Sequence, residues 1–135
     1  MSVAILVFAG GGVGAVARYG LVHASETAFG NAFPYGVLTA NILGSFLMGL
    51  LVGWLATHGA GLASFLDLEG HTAAKAALAT GLLGGFTTFS AFSLDAVRLW
   101  EQGNGVGAAL YVGASIIAAI SALVFGLFLA RGLFS

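Results

Sequence analysis

The distribution of charge is the feature that most constrains what this chain can fold into. Its 135 residues include nine charged ones, which leave long uncharged stretches at residues 1–17, 27–66, 76–94 and 102–130. Charged residues make up 7% of the chain and hydrophobic ones 59%, whereas a soluble domain carries about a quarter charged residues. A chain this short leaves much of its surface exposed, so it could not hide all of its apolar side chains from water. We therefore predict an integral membrane protein.

Four membrane-spanning helices are predicted, since each needs about 20 mostly apolar residues. We place them at about residues 3–22, 35–57, 73–100 and 107–131, in a single domain covering residues 1–135. Turn-forming residues fall between these segments: Gly30-Asn31, Pro34, His58-Gly59, Asp67 to Gly70, and Gln102 to Gly105. The alternating ten-residue strands of a membrane barrel are not visible. The predicted fold class is therefore an all-α membrane protein, a four-helix bundle.

The basic residues do not favour one orientation in the membrane. With four helices, Lys75 and Arg131 lie on one side and Arg18 and Arg98 on the other, whereas an excess of Lys and Arg usually marks the cytoplasmic side. Two explanations stay open. Either another feature fixes the orientation, or the chain inserts both ways and assembles as an antiparallel pair.

Asp95 is expected to pair with Arg98, three residues further along the third helix.

The third helix contains a stretch that disfavours regular helix. Adjacent Gly84 and Gly85 lower helix propensity, and the β-branched Thr87 and Thr88 follow them. We predict a break near Gly84–Thr88, with a straight, glycine-tolerant helix as the alternative. Irregular backbone at membrane depth persists only where it is buried in protein or lines a cavity, and there its carbonyls can hold a cation.

Neutral polar residues occupy the membrane segments, and they would suit a small permeating anion. Asn41 lies about a third of the way into the second helix, where an unpaired amide would be costly. In the third helix, hydroxyl residues and phenylalanines each recur every third position: Thr87, Ser90 and Ser93, and Phe86, Phe89 and Phe92. Amides and hydroxyls donate without a fixed charge, and a phenyl ring has a positive edge. The alternatives are a helix–helix hydrogen bond for Asn41 and ordinary packing for the others.

Several other functions are excluded or disfavoured by composition. The chain has no cysteine and a net charge of −1 with no basic cluster, which excludes thiol chemistry and gives no footprint for nucleic acid. No histidine or acid is placed near the Ser/Thr stretch, so an enzyme is not expected. His23, His58 and His71 are expected in or beside loops, not at a metal. A small multidrug or cation/proton antiporter is the main alternative, but it needs an intramembrane carboxylate, and the first two predicted helices have none.

Three stretches together resemble the small fluoride channels of the Fluc or CrcB family. They are Gly11–Tyr19, Thr39–Phe46 and Gly84–Ser93, which read GGVGAVARY, TANILGSF and GGFTTFSAFS. The order of the stretches and the length of the chain match as well. The resemblance implies passive export of fluoride across the inner (plasma) membrane. It also implies an antiparallel, dual-topology homodimer in the lipid bilayer, with a break in each third helix and two pores.

The resemblance also implies roles for individual residues. Asn41 would lie beside the pore, and Phe89 and Phe92 would point their ring edges at the ion. The polar positions of the pathway would be Thr88, Ser90, Tyr111 and Ser115. Arg18 would attract anions near the aqueous vestibule, and the carbonyls of Gly84 and Thr87 would hold a structural sodium ion. Two residues depart from the family pattern: Ala91 stands where many members have Thr, and Ala119 offers no hydroxyl one turn after Ser115.

Overall fold

Four helical spans make up the described part of the chain, which a computed structural model covers at residues 2–57 and 75–134. The helices are α1 (Val3–Phe29), α2 (Tyr35–Thr57), the π-helical α3 (Ala76–Leu83), α4 (Gly84–Phe86), α5 (Phe89–Glu101) and α6 (Gly105–Phe134). Segments Val3–Phe29, Tyr35–Ala56, Ala76–Glu101 and Gly105–Leu133 are each long and apolar enough to cross a membrane. This confirms the prediction of an all-helical protein with four membrane spans.

Helix α1 is longer than predicted, and this corrects two expectations. It continues to Phe29 instead of ending at residue 22, so His23 lies within a helix and not in or beside a loop. Glu26 also lies in α1, so the first two helices do contain a carboxylate. The helix ends at Gly30, whose positive φ of 75° stops it while its N–H bonds the Glu26 carbonyl at 2.8 Å. Charged side chains near the end of a membrane helix can extend to the interface. Arg18 and Glu26 therefore lie within α1 and do not mark its end.

Some sequence-based predictions fall outside the described residues. They are the turns at His58-Gly59 and at Asp67 to Gly70, the histidines His58 and His71, and residues 73 and 74 at the start of the third predicted helix.

The spans pack as two close pairs, α2 with α6 and α1 with α3 and α4. Small residues at the crossings allow backbone to touch backbone. A Cβ at Gly126 would overlap the Phe46 carbonyl, and one at Gly14 would overlap the Leu82 carbonyl. Such close crossings replace the hydrophobic driving force that helices lack in lipid.

The third span is not a continuous α-helix. Thr87 (φ −82°, ψ 154°) and Thr88 (φ −153°, ψ 121°) have extended backbone between α4, which ends at Phe86, and α5, which begins at Phe89. The preceding segment, α3, is π-helical, with hydrogen bonds between residues five apart. Two extended residues interrupt the regular hydrogen bonding, so their polar groups must find other partners.

A large apolar surface remains on the outside of the single chain. Phe8 is 83% exposed, Val16 71% and Ile117 69%, whereas the buried core beside α5 is a small cluster of Val37, Phe92, Leu99, Ala108 and Tyr111. Exposed apolar surface on this scale needs a partner or lipid around it. It agrees with the assignment of the spans to a membrane.

Candidate functional site

A pair of hydrogen bonds connects α2 to the extended residues of the third span. The Thr88 N–H donates to Asn41 Oδ1 at 2.8 Å, and Asn41 Nδ2 donates to the Thr88 carbonyl at 3.1 Å. One amide side chain therefore satisfies both polar backbone groups of an extended residue. In a membrane each such group would otherwise cost several kcal/mol. Asn41 therefore makes a hydrogen bond between spans, which the sequence analysis gave as the alternative to a role in anion permeation. One N–H of its amide remains for another acceptor.

The same region redirects backbone donors away from two carbonyls. In a continuous α-helix the amides of Thr88 and Ala91 would bond the carbonyls of Gly84 and Thr87. Here the Thr88 amide donates to Asn41, and the Ala91 amide donates to Thr88 Oγ1 at 3.3 Å, which caps α5. The Gly84 and Thr87 carbonyls thus lose their helical donors.

A cleft of about 380 Å³ lies against these residues, bordered by α2, the third span and α6. Its lining residues are Asn41, Gly44, Ser45, Met48, Thr87, Thr88, Phe89, Phe92, Ser115, Ile116, Ala119, Ile120 and Leu123. The lining is mostly apolar, and its polar side chains are one amide and several hydroxyls. No ionisable residue of the described chain lines it.

Two phenylalanine rings stand at this cleft in different environments. Phe89 and Phe92 lie one turn apart on α5, with ring centroids 5.4 Å apart and planes tilted by 42°. Phe89 is 79% exposed in the single chain, while Phe92 is 9% exposed and packs on Tyr111. Starting α5 immediately after the extended residues places Phe89 in its first turn and at the cleft.

Some hydroxyl groups of the site are bonded locally, whereas that of Ser115 is not. Thr87 Oγ1 donates to the Leu83 carbonyl at 3.0 Å and Ser93 Oγ to the Phe89 carbonyl at 2.9 Å, each one turn back. Ser90 Oγ lies 3.2 Å from Thr88 Oγ1. Ser115 is 5% exposed and its Oγ has no hydrogen-bond partner among the described residues. A buried hydroxyl in that state is available to a ligand.

Arg18 lies in a second, larger cavity of about 520 Å³ at the end of the bundle that carries the α1–α2 loop. Glu26, Asp95 and Arg98 line the same cavity. Arg98 and Asp95 approach to 4.0 Å, the outer limit of an ion pair, and the Arg98 side chain is 62% exposed. Such a pair contributes little to stability. Ionisable side chains therefore gather in this cavity, away from the cleft.

The structure brings most of the predicted site residues together, but not all of them. Asn41, Thr87, Thr88, Phe89, Phe92 and Ser115 line the cleft, and Ser90 adjoins it through Thr88. Tyr111 lies behind Phe92, fully buried, and neither it nor Gly84 lines the cleft.

Sequence reasoning missed Gly44 as part of the site. A Cβ at Gly44 would overlap the Thr87 side-chain methyl, so its hydrogen atom makes room for the extended residues. Its position three residues after Asn41, on the same face of α2, was the available signal.

Together the fold and the cleft define a small multi-pass membrane protein that gathers uncharged polar groups between its spans. A family model described as "CrcB-like protein, Camphor Resistance (CrcB)" matches residues 5–127. The chain belongs to the CrcB family, which confirms the resemblance seen in the sequence. This is a family of ion channels and not of enzymes.

Curated relatives match nearly the whole chain. A protein of Chelativorans sp. (strain BNC1) is 46% identical over 129 residues, covering 96% of each chain. One from Cereibacter sphaeroides (strain ATCC 17029 / ATH 2.4.9) is 48% identical over 123 residues, covering 91% of this chain and 90% of the relative. Both are named "Fluoride-specific ion channel FluC".

Replacing Asn41 with Leu should destabilise the protein, because it leaves the Thr88 N–H and carbonyl without partners. We expect the free energy of unfolding to fall by about 1–3 kcal/mol, the usual cost of an unsatisfied buried polar group. Denaturant unfolding in detergent micelles measures it. Ser45→Ala is the matched control, since Ser45 lies one turn further along α2 and lines the same cleft. Equal stability of Asn41→Leu and the control would contradict the structural role of Asn41.

Proposed function

We propose that this protein is a fluoride-selective channel that allows fluoride to leave the cytoplasm passively across the inner (plasma) membrane. The observation that carries the proposal is the close similarity, over nearly the whole chain, to relatives named fluoride-specific ion channels. The cleft supports it independently, because its polar side chains are uncharged donors set among apolar ones.

The chemistry of the cleft suits an anion that must enter and leave. The unused N–H of Asn41 and the unpartnered hydroxyl of Ser115 replace part of the water shell of the ion with hydrogen-bond donors. The ring edges of Phe89 and Phe92 add weak positive charge. A fixed positive charge in the same place would hold the ion more tightly and slow its release.

The remaining polar groups would extend the pathway on either side of the rings. Thr88 and Ser90 form a pair of hydroxyls beside Phe89, and Ser115 and Tyr111 lie one turn apart on α6. Arg18, in the larger cavity, would raise the local anion concentration before the ion reaches the neutral donors. Ala119 lines the cleft with a methyl group, so the hydroxyl pathway ends near Ser115 on that helix.

The functional unit in this proposal is an antiparallel homodimer of dual topology with two pores. Phe89 is 79% exposed in one chain, so a second copy would complete the wall of the cleft on that side. The even distribution of basic residues, two on each side, would allow both orientations.

In this proposal, a structural sodium ion is bound by backbone carbonyls of the third span that have no helical hydrogen-bond donor. Sodium is a hard cation, and carbonyl oxygens are suitable ligands for such ions. The Gly84 and Thr87 carbonyls have lost their helical donors to Asn41 and Thr88, so they are the groups that would hold it. The ion would supply positive charge that balances these carbonyl dipoles. Two copies would contribute equivalent pairs.

We expect purified protein in liposomes to release fluoride down its gradient without a proton gradient, and to exclude chloride almost completely. A fluoride electrode measures the efflux. Phe89→Ile and Phe92→Ile should each reduce it at least about ten-fold, because an aliphatic side chain has no positive edge to offer the ion. Phe125→Ile is the control, since that ring stacks on Phe46 outside the cleft.

Equal fluoride and chloride flux would contradict the proposed selectivity. Flux that requires a proton gradient would favour the antiporter alternative. Unchanged efflux in both phenylalanine variants would show that the rings only pack.

Dual topology can be tested with a single cysteine, because the sequence contains none. Ala32→Cys, in the exposed α1–α2 loop, should react with a membrane-impermeant maleimide from both sides of the inner membrane. About half of the molecules should label from each side, because the basic residues give no orientation bias. Labelling from one side alone would reject dual insertion.

Removing sodium tests the proposed structural ion. Exchanging sodium for N-methylglucamine during purification and assay should lower fluoride efflux, because the bulky organic cation cannot replace sodium among carbonyl oxygens. Returning sodium should restore the efflux, and returning an equal concentration of choline is the control. Full efflux in sodium-free conditions would contradict the assignment.

A further inference from the structure

A continuous series of aromatic rings connects the α1–α2 loop to the cleft. Phe33, in the loop, contacts Tyr111 edge-on, with centroids 5.6 Å apart and planes at 89°. Tyr111 lies 5.4 Å from Phe92, and Phe92 lies 5.4 Å from Phe89. The series therefore links a residue outside the membrane-spanning helices to both rings proposed to contact the ion.

Phe33 is held in place by its own backbone. It precedes Pro34, which restricts the residue before it to extended conformations. Tyr35, the first residue of α2, donates its N–H to the Phe33 carbonyl at 2.9 Å. The Phe33 side chain is partly buried against the core cluster that contains Tyr111 and Phe92. The loop thus presents this ring in a defined position.

Tyr111 transmits that position because it has no room to move independently. It is fully buried, with 0% of its surface exposed, and has Phe33 and Phe92 among its ring neighbours. Close-packed interiors transmit a change of shape at one side chain to the next. Removing the Phe33 ring would leave space into which Tyr111 could tilt, and the Phe92 ring would then lose its support.

We propose that Phe33 is a positioning residue for the pathway, acting through Tyr111 on the ring edges of Phe92 and Phe89. The inference rests on the proposed fluoride channel. Binding groups work only when surrounding residues hold them in their productive orientation. Phe33 also lines the larger cavity with Arg18, so it belongs to the wall of one space and to the support of the other.

Flux measurements on Phe33 variants test this role. Phe33→Leu should reduce fluoride efflux roughly three- to ten-fold, the range expected from losing one aromatic contact. Phe33→Met, whose longer, flexible side chain has a volume similar to that of Leu but no ring, should show the same loss, and Phe33→Tyr should keep the efflux of the unmodified protein. Phe125→Leu is the matched control, because it removes the ring pair with Phe46, outside the series.

A spectroscopic measurement separates positioning from a general loss of stability. With 3-fluorotyrosine incorporated, the fluorine resonance of Tyr111 is identified by its absence in Tyr111→Phe. Loss of the Phe33 ring current alone would only shift it, so the expected change is broadening in Phe33→Leu and Phe33→Met, as Tyr111 exchanges between positions, with no change in Phe125→Leu.

The outcomes distinguish this inference from the proposed function. If the unmodified protein releases no fluoride, the proposed function fails. If the unmodified protein conducts and both Phe33→Leu and Phe33→Met conduct equally well, only the positioning role fails. Reduced efflux without broadening of the Tyr111 resonance, or with a similar loss in Phe33→Tyr, would also overturn it. Reduced efflux, a broadened resonance and unreduced efflux in Phe33→Tyr support it.

Discussion

The two hydrogen bonds between Asn41 and the Thr88 backbone are the interaction on which the site depends. An extended residue within a membrane span has an N–H and a carbonyl that lipid cannot satisfy, and the Asn41 amide satisfies both. With Thr88 fixed in this way, its hydroxyl caps α5, which begins at Phe89. The positions of Phe89 and Phe92 therefore follow from a contact made on another helix.

Close helix packing makes that contact possible. The glycines of α2 and α6 bring their backbones together, and those of α1 do the same with α3 and α4. Gly44 leaves room for the Thr87 side chain just one turn from Asn41. Small residues thus serve the site directly, because a single methyl group at Gly44 would overlap the side chain of Thr87, the residue next to the one that Asn41 holds.

The sequence predicted the spans well because the bilayer imposes a simple rule on apolar length. It also indicated that Asn41 needs a partner, since an amide cannot remain unpaired in hydrocarbon. It could not identify Thr88 as that partner, because the two residues are 47 positions apart and meet only through helix packing. The end of α1 was placed at residue 22, after about 20 mostly apolar residues, whereas the helix continues to Phe29 and Gly30 ends it. Nor could spacing separate the hydroxyls of Thr87 and Ser93, which bond one turn back, from the unpartnered hydroxyl of Ser115.

Among the described residues of the folded chain, charged ones line the larger cavity and none lines the cleft. The larger cavity is lined by Arg18, Arg98, Glu26 and Asp95, whereas the polar lining of the cleft consists of amide and hydroxyl groups. In the proposed channel, the anion would be attracted at the larger cavity and would pass through the cleft. The positive charge of Arg18 acts at long range and would attract an anion to the larger cavity, but the same charge beside the rings would retain it. Phe33 lines the charged cavity and packs against Tyr111 behind the cleft, so the two places share one structural element.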